Sequence, residues 1–191
     1  MKKLHDFDEV FDSQKMFRLI LHAMANPTQS VSIEDYAKKF TSGIPVFLAI
    51  AMTLLDNEVS FHAYRNKELS NDITTLTLSR QETLENADYV LVTDDGDVDE
   101  VIAGVKCGTL RDPHLNATVI MKDSGEECEP VRLHGPGIDG STVFQASNAV
   151  RRALSARDLM CYEYPQGIDL VFVTDAGKLF AIPRLVMKEV C

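Results

Sequence analysis

The 191-residue sequence has no tryptophan, four cysteines, five histidines, and fewer basic than acidic residues, 19 against 29. The cysteines, Cys107, Cys128, Cys161 and Cys191, are too far apart in sequence to form a CxxC pair. This spacing favours neither a zinc clamp nor a redox dithiol, and unpaired thiols suit a reducing cytoplasm, where we expect the protein. The net charge of -10 argues against a nucleic-acid partner, since clustered lysines and arginines hold phosphate backbones.

Long apolar runs are also lacking. The longest, residues 44–55, falls short of the roughly 20 residues that a spanning helix requires, so we expect no membrane partner. Acidic residues at positions 6, 8, 9 and 12 interrupt the N-terminus before any apolar stretch, which argues against a signal peptide. The densest basic stretch, Arg151, Arg152 and Arg157, fits either a solvated helix face or a contact for an anion or an acidic partner.

The general catalytic motifs are missing as well. The sequence contains no P-loop, no glycine-rich dinucleotide fingerprint, no G-x-S-x-G elbow and no H-E-x-x-H. The histidines are scattered singly, and no lysine stands in a motif that marks a Schiff-base nucleophile. We therefore predict no cofactor and no metal site.

What the sequence does contain is a regular alternation of helical and strand patterns through its first half, followed mainly by strands. This order predicts an α/β protein with a mixed β-sheet flanked by helices, in a single domain over residues 1–191. The clearest helices are expected at residues 13–25, with Asp12 or Ser13 as the cap, and at 43–55. A weaker helix is expected at 71–79 after Ser70. The last, at 147–160, should carry Val150, Leu154 and Leu159 on one face.

Three segments combine turn-forming residues with charged ones. The segment 133–138 holds His134 between a strand and two glycines, and it fits either a plain turn or a backbone site for an anion. A turn at 164–168 leads to Asp169 at the start of an apolar strand, where a carboxylate needs a partner or serves a substrate or an interface. Arg184 follows Pro183, and its planar guanidinium suits either Asp169 or a phosphate-like group.

An ordered set of short motifs resembles the PhnH family, the H subunits of the carbon-phosphorus lyase system of bacterial phosphonate catabolism. The motifs are Phe17-Arg18 with Ala23-Met24-Ala25-Asn26-Pro27, Leu54-Leu55-Asp56, Gly108-Thr109 with Ala117-Thr118, Leu133-His134-Gly135-Pro136-Gly137-Ile138, Pro165-Gln166-Gly167-Ile168-Asp169-Leu170, and Ala181-Ile182-Pro183-Arg184. They span the chain from about residue 14 to its end. Two positions depart from the family pattern: Thr28 stands where glycine is usual, and Leu185-Val186 where small hydroxyl residues are usual.

The resemblance implies a homodimeric subunit that assembles with the G, I and J subunits. Its fold would be similar to a reduced PLP-dependent transferase domain without PLP. The G, H and I subunits, helped by the L subunit, are associated with displacement of adenine from ATP by an alkylphosphonate, which gives a ribose 1-phosphonate 5-triphosphate. A contact of this chain with ATP or phosphonate inside the complex is part of the same implication.

Three hypotheses of function remain. The leading one is an assembly subunit without turnover of its own, with Arg18, Asp56, His134, Asp169 and Arg184 as a candidate polar cluster at an interface or a substrate-facing cleft. The alternative is a free-standing enzyme on small phosphorylated substrates, with His134 or Asp169 as general base and Arg184 as the anion clamp. A purely structural dimer is a third interpretation.

Overall fold

The computed structural model describes residues 5–94, 96–160 and 162–189. They form six α-helices: α1 Phe11–Ala25, α2 Glu34–Ala37, α3 Pro45–Leu54, α4 Lys67–Thr77, α5 Val98–Gly104 and α6 Asn148–Leu159. The ten β-strands are β1 Val31–Ser32, β2 Ser60–Ala63, β3 Arg80–Gln81, β4 Tyr89–Val92, β5 Thr118–Lys122, β6 Glu129–His134, β7 Ser141–Ala146, β8 Asp169–Val173, β9 Lys178–Ile182 and β10 Met187–Lys188.

A seven-stranded mixed sheet forms the centre of the molecule, in the order β1-β9-β8-β5-β4-β2-β3. Strands β8, β5, β4, β2 and β3 run parallel, whereas β9 pairs antiparallel with both β8 and β1. The β8–β9 hairpin turns at residues 174–177, as the Asp175-Ala176-Gly177 sequence predicts. The expectation of an α/β domain with a mixed sheet flanked by helices is confirmed.

The two faces of this sheet are covered by different elements. Helices α1, α3 and α4 pack on the face that Phe61, Leu91 and Ile120 present, which we call the first face. Helices α5 and α6 pack on the opposite, second face, against neighbours such as Val119 and Met121. Because successive side chains of a strand point to opposite faces, consecutive residues of β5 belong to the two separate cores.

Local sequence explains where the principal helices begin. Helix α3 starts with Pro45, whose missing N–H costs nothing in the first turn, and the next six residues, 46–51, are all buried. Its apolar character on nearly all sides therefore matches its position in the core. Helix α6 begins after Ser147, whose side-chain oxygen accepts a hydrogen bond from the backbone N–H of Val150.

A second sheet of three antiparallel strands, β10-β6-β7, lies on the side of the second face. Strand β7 lies in a polar stretch whose sequence does not predict a strand, and it is held in the sheet by its pairing with β6. The loop after β6 passes close to α1. A Cβ at Gly137, whose φ is +85°, would lie 2.6 Å from the carbonyl oxygen of Ala25.

The structure corrects three details of the predicted helices. Asp12 does not cap α1, because it is buried inside the helix, while Asp8 accepts hydrogen bonds from the backbone N–H groups of Val10 and Phe11. Helix α4 starts at Lys67 with Asn66 as its cap, four residues before the predicted start. Leu159 is 81% exposed and does not share the buried face of α6.

In the part of the chain that the structure describes, no helix combines the length and the apolar character that crossing a membrane requires.

Candidate functional site

Asp169 and Arg184, both predicted site residues, are in direct contact at the edge of the large sheet. The backbone N–H of Arg184 donates to Oδ1 of Asp169 at 2.8 Å, and its Nη1 lies 3.3 Å from Oδ2. Asn116 completes the network, since its Nδ2 donates to Oδ2 of Asp169 at 2.8 Å and its Oδ1 accepts from Nη1 of Arg184 at 2.7 Å. Both oxygens of the Asp169 carboxylate therefore have donors.

The strand register brings these three residues together. Asp169 is the first residue of β8 and pairs with Thr118 of β5, so Asn116 lies beside it just before β5 begins. Leu170 pairs antiparallel with Ile182, which places Arg184 next to the start of β8. Gly167 leaves room for this arginine: its φ is +149°, and a Cβ there would lie 2.9 Å from the Cβ of Arg184.

Arg157 is a second, more deeply buried arginine next to this network. Only 3% of the residue is exposed, and its guanidinium donates to the backbone carbonyls of Ile168, Ile182, Pro183 and Val186. Burial lowers the pKa of Arg157, although Asp158 and Asp169 act in the opposite direction. The side chain thus fastens the end of α6 to the segment that joins β9 to β10.

A cavity of about 310 Å³ opens beside the two arginines. Tyr162, Tyr164 and Met187 contribute much of its apolar wall. Burial raises the pKa of Tyr162 to about 12, so its phenol keeps its proton at neutral pH.

The other three predicted site residues lie elsewhere. Arg18 is exposed on α1, and His134 is exposed at the end of β6, where it pairs with Met187 of β10. Asp56 follows α3 and accepts a hydrogen bond from the backbone N–H of Glu58. Within the described residues, no recorded hydrogen bond or ion pair joins any of the three to Asp169 or Arg184.

Asp56 and Asp169 nevertheless lie at the same edge of the sheet, on either side of Tyr89. The pKa of Tyr89 is raised first by burial and then by the negative charges of Asp88, Asp56 and Asp169. This edge holds the amino ends of the parallel strands, whereas open α/β sheets usually bind ligands at the carboxyl ends. Asp56 is exposed there.

The basic stretch of α6 is not a solvated face. Arg151 forms an ion pair with Glu129, Arg152 forms one with Asp99, and Arg157 is buried. Across residues 5–94, 96–160 and 162–189, no three of the His, Cys, Asp and Glu side chains come together as a potential metal site. Cys107 and Cys128 are free thiols, and Cys161 and Cys191 lie outside the described residues.

Comparison with known proteins gives two matches. A family model described as "Bacterial phosphonate metabolism protein (PhnH)" matches residues 5–188. The chain belongs to the PhnH family. It is also 28% identical over 172 residues to the "Putative C-P lyase subunit protein HtxG" of Stutzerimonas stutzeri, an alignment that covers 90% of this chain and 83% of the relative. The resemblance inferred from the ordered motifs is confirmed.

The sequence of this PhnH family member did not lead us to expect that Arg157 is buried, although it contains a signal for that burial. At about 100° per residue, a helix places position 157 on the same side as Val150 and Leu154, and position 159 opposite them. Hydrophobicity alone assigned Leu159 to the buried face, because an arginine is seldom expected there. Asn116 carried no comparable signal, since only the β5–β8 register brings it to Asp169.

Proposed function

We propose that this chain is the H subunit of a carbon-phosphorus lyase core complex. In that complex it takes part in the α-D-ribose 1-methylphosphonate 5-triphosphate synthase reaction, in which an alkylphosphonate displaces the adenine of ATP. The observation that carries the proposal is the PhnH family match over residues 5–188, and a relative named as a C-P lyase subunit supports it. On this proposal the chain is a cytoplasmic homodimer that assembles with the G, I and J subunits.

The same proposal implies that the fold derives from a PLP-dependent transferase domain, reduced in size and working without PLP. A central sheet with parallel strands and helices on both faces is compatible with that origin. The architecture alone does not distinguish it from other α/β folds, because one architecture serves many functions. The support for it is therefore the family resemblance.

The geometry of the polar network favours an assembly role over independent catalysis. A general base must reach the proton of its substrate, but the Asp169 side chain is only 13% exposed and already accepts three hydrogen bonds, two from Arg184 and one from Asn116. His134, the other candidate base, is exposed on the three-stranded sheet and is not among the residues that line the cavity next to Arg184. This geometry argues against Asp169 and His134 as the general base of a free-standing enzyme.

Helix α1 offers a surface for such an assembly. Phe11, Phe17 and Leu21 expose about half or more of their area, and Phe17 and Leu21 border a shallow cavity of about 140 Å³ together with Leu54. Exposed apolar side chains in contiguous groups are typical of protein contact surfaces. We assign this apolar face of α1 to contact within the assembly.

The proposal is tested by growth and by recovery of partners. A strain that lacks this subunit, complemented with the Leu21→Glu variant, should fail to grow on methylphosphonate as the phosphorus source, and the tagged variant should lose the G, I and J subunits in a pull-down. The matched control is Val143→Glu, which places the same charge at an exposed apolar position of β7. Recovery of no other subunit by the unmodified protein would overturn the proposal.

A second experiment separates assembly from independent turnover. The purified chain incubated with ATP and methylphosphonate should release no adenine, whereas the mixture with the G, I and L subunits should release it. Adenine release by the chain alone would restore the free-standing enzyme.

A further inference from the structure

The cavity beside Arg157 and Arg184 contains buried donors that lack acceptors. Nε of Arg157, Nε of Arg184 and Oη of Tyr162 are shielded from solvent and have no hydrogen-bond partner among the described residues. All three residues line this one cavity. Native proteins leave few buried polar groups unsatisfied, because each one loses its hydration without gaining a partner. Since guanidinium nitrogens donate and never accept, the missing partner is a hydrogen-bond acceptor.

The charge around the cavity points to an anionic acceptor. In the described part of the chain, no carboxylate forms an ion pair with Arg157, whose Nη atoms donate only to neutral carbonyl groups. Asp169 is bound by Arg184 and Asn116. Asp158 also lines the cavity, and its Oδ2 lies 3.4 Å from Nζ of Lys188. Among the described residues, Asp158 and Asp169 act on the Arg157 charge without forming an ion pair with it, so an anion that enters the cavity adds a direct attraction to the guanidinium.

The walls of the cavity favour a ligand with an apolar, planar part. Tyr162, Tyr164, Leu185 and Met187 line it, and Tyr164 is 81% exposed at its mouth. Aromatic rings bind other rings by stacking, and the volume of about 310 Å³ lies at the small end of ligand sites, which run from about 300 to 1,000 Å³. A ligand with one ring and one anionic group matches this combination of size, charge and apolar wall.

We propose that this cavity binds a small organic oxyanion, a phosphonate, phosphate or carboxylate group attached to a planar apolar body. The oxyanion accepts from the donors of Arg157, Arg184 and Tyr162, and the planar part packs against Tyr164 and Met187. The neutral Tyr162 phenol acts as a donor at neutral pH, because its pKa is raised to about 12. This inference is independent of the assembly role, since it concerns the isolated chain.

Titration calorimetry of the full chain with phenylphosphonate tests the proposal. Phenylphosphonate should bind saturably at one site, while inorganic phosphate, which lacks the ring, and benzyl alcohol, which lacks the charge, should each bind at least tenfold more weakly. Benzoate separates the sources of the anion: affinity equal to that of phenylphosphonate assigns the site to oxyanions in general, and weaker affinity assigns it to phosphonates and phosphates.

Three variants complete the test. Arg184→Gln should weaken phenylphosphonate binding at least tenfold, and Tyr164→Ala, at a position that is 81% exposed, should weaken it several-fold. Arg65→Gln removes the same charge from an exposed ion pair with Asp97 and Glu100 and should leave the affinity unchanged. The proposal is overturned by absence of saturable binding, by equal affinity for phosphate or benzyl alcohol, or by insensitivity to Tyr164→Ala. Equal losses in Arg65→Gln and Arg184→Gln would also overturn it.

Discussion

The two faces of the central sheet are held in different ways. On the first face, α1, α3 and α4 are attached mainly by apolar side chains, and three contacting helices from the first 77 residues form most of the cover. The second face is covered by α5, α6 and the three-stranded sheet, which come from distant segments. There, Arg157, the one buried arginine among the described residues, ties α6 to the backbone at residue 168 and at residues 182–186.

The difference follows from where the backbone groups are satisfied. Helices on the first face satisfy their own N–H and C=O groups, so apolar burial is enough to attach them. The segment 183–186 of the second face is neither helix nor strand. The N–H of Val186 donates to the carbonyl of Pro183 within the segment, but the carbonyl of Val186 takes its donor from outside, from Arg157. Arg157 provides several hydrogen-bond donors from one side chain, which makes this region dependent on a single residue.

Of the substitutions predicted here, replacement of Arg157 should lower the free energy of unfolding most. Arg157→Met keeps much of the volume but leaves the carbonyls of Pro183 and Val186 without this donor, and we expect the free energy of unfolding to fall by about 3 kcal/mol. Urea denaturation measures the loss. Hydrogen exchange should increase locally, in residues 183–188.

The matched control is Arg151→Met on the same helix. Arg151 pairs with Glu129, whose side chain is 64% exposed, and donates to the exposed backbone carbonyl of Glu127, so its loss should cost less than about 1 kcal/mol. Equal losses in the two variants would mean that the carbonyl contacts of Arg157 contribute nothing specific.

The sequence predicted the helices better than the strand pairing and the arginine contacts of the second face, for the same physical reason. The apolar stripe of α1 and the buried run of α3 are local periodic patterns, and the structure shows both helices within about two residues of their predicted bounds. On the second face, β7 and the burial of Arg157 depend on strand pairing and on carbonyls far away in sequence. Local patterns contain no information about strand pairing, and the helical periodicity that places Arg157 beside Val150 and Leu154 does not indicate which carbonyls it contacts.

The predicted site residues show the same difference between local patterns and long-range contacts. The turn sequences before Asp169 and Arg184 indicated two charged residues that need partners, and the β8–β9 hairpin brings them together as the sequence allowed. Nothing local indicated that Arg18 and His134 would lie apart from them, because their positions depend on how α1 and the three-stranded sheet pack. The motifs of the PhnH family identified the chain without locating a cluster.

Acidic pH should weaken the ion pair between Asp12 of α1 and Lys39. Burial raises the pKa of Asp12, but the hydrogen bonds from Lys39 and from the backbone N–H of Asp8 outweigh it, so the net pKa lies below the usual 3.8. A lowered folded pKa means that the contribution to stability is complete above the unfolded value and is lost as pH falls through the folded one.

Urea denaturation between pH 6 and pH 2 measures this effect. The stability advantage of the wild type over Asp12→Asn should be constant down to about pH 4 and then shrink, because the neutral amide does not titrate. Lys39→Met removes the ammonium that Asp12 contacts, and in that background the pH dependence should be weaker. An advantage that grows on acidification would reverse the sign of the proposed interaction.

The smallest effect is expected at Thr28, where the first face meets the loop of the three-stranded sheet. Thr28 has a φ of +72°, a conformation that costs a residue with a Cβ about 1–2 kcal/mol, and its N–H donates to the carbonyl of Ala181. Thr28→Gly removes the strain but adds backbone freedom to the unfolded chain, worth roughly 0.5–1 kcal/mol. The variant should therefore gain about 0.5 kcal/mol in urea denaturation. Thr28→Ala keeps the Cβ and should gain less, whereas destabilisation by glycine would show that the threonine side chain stabilises the junction between the two regions.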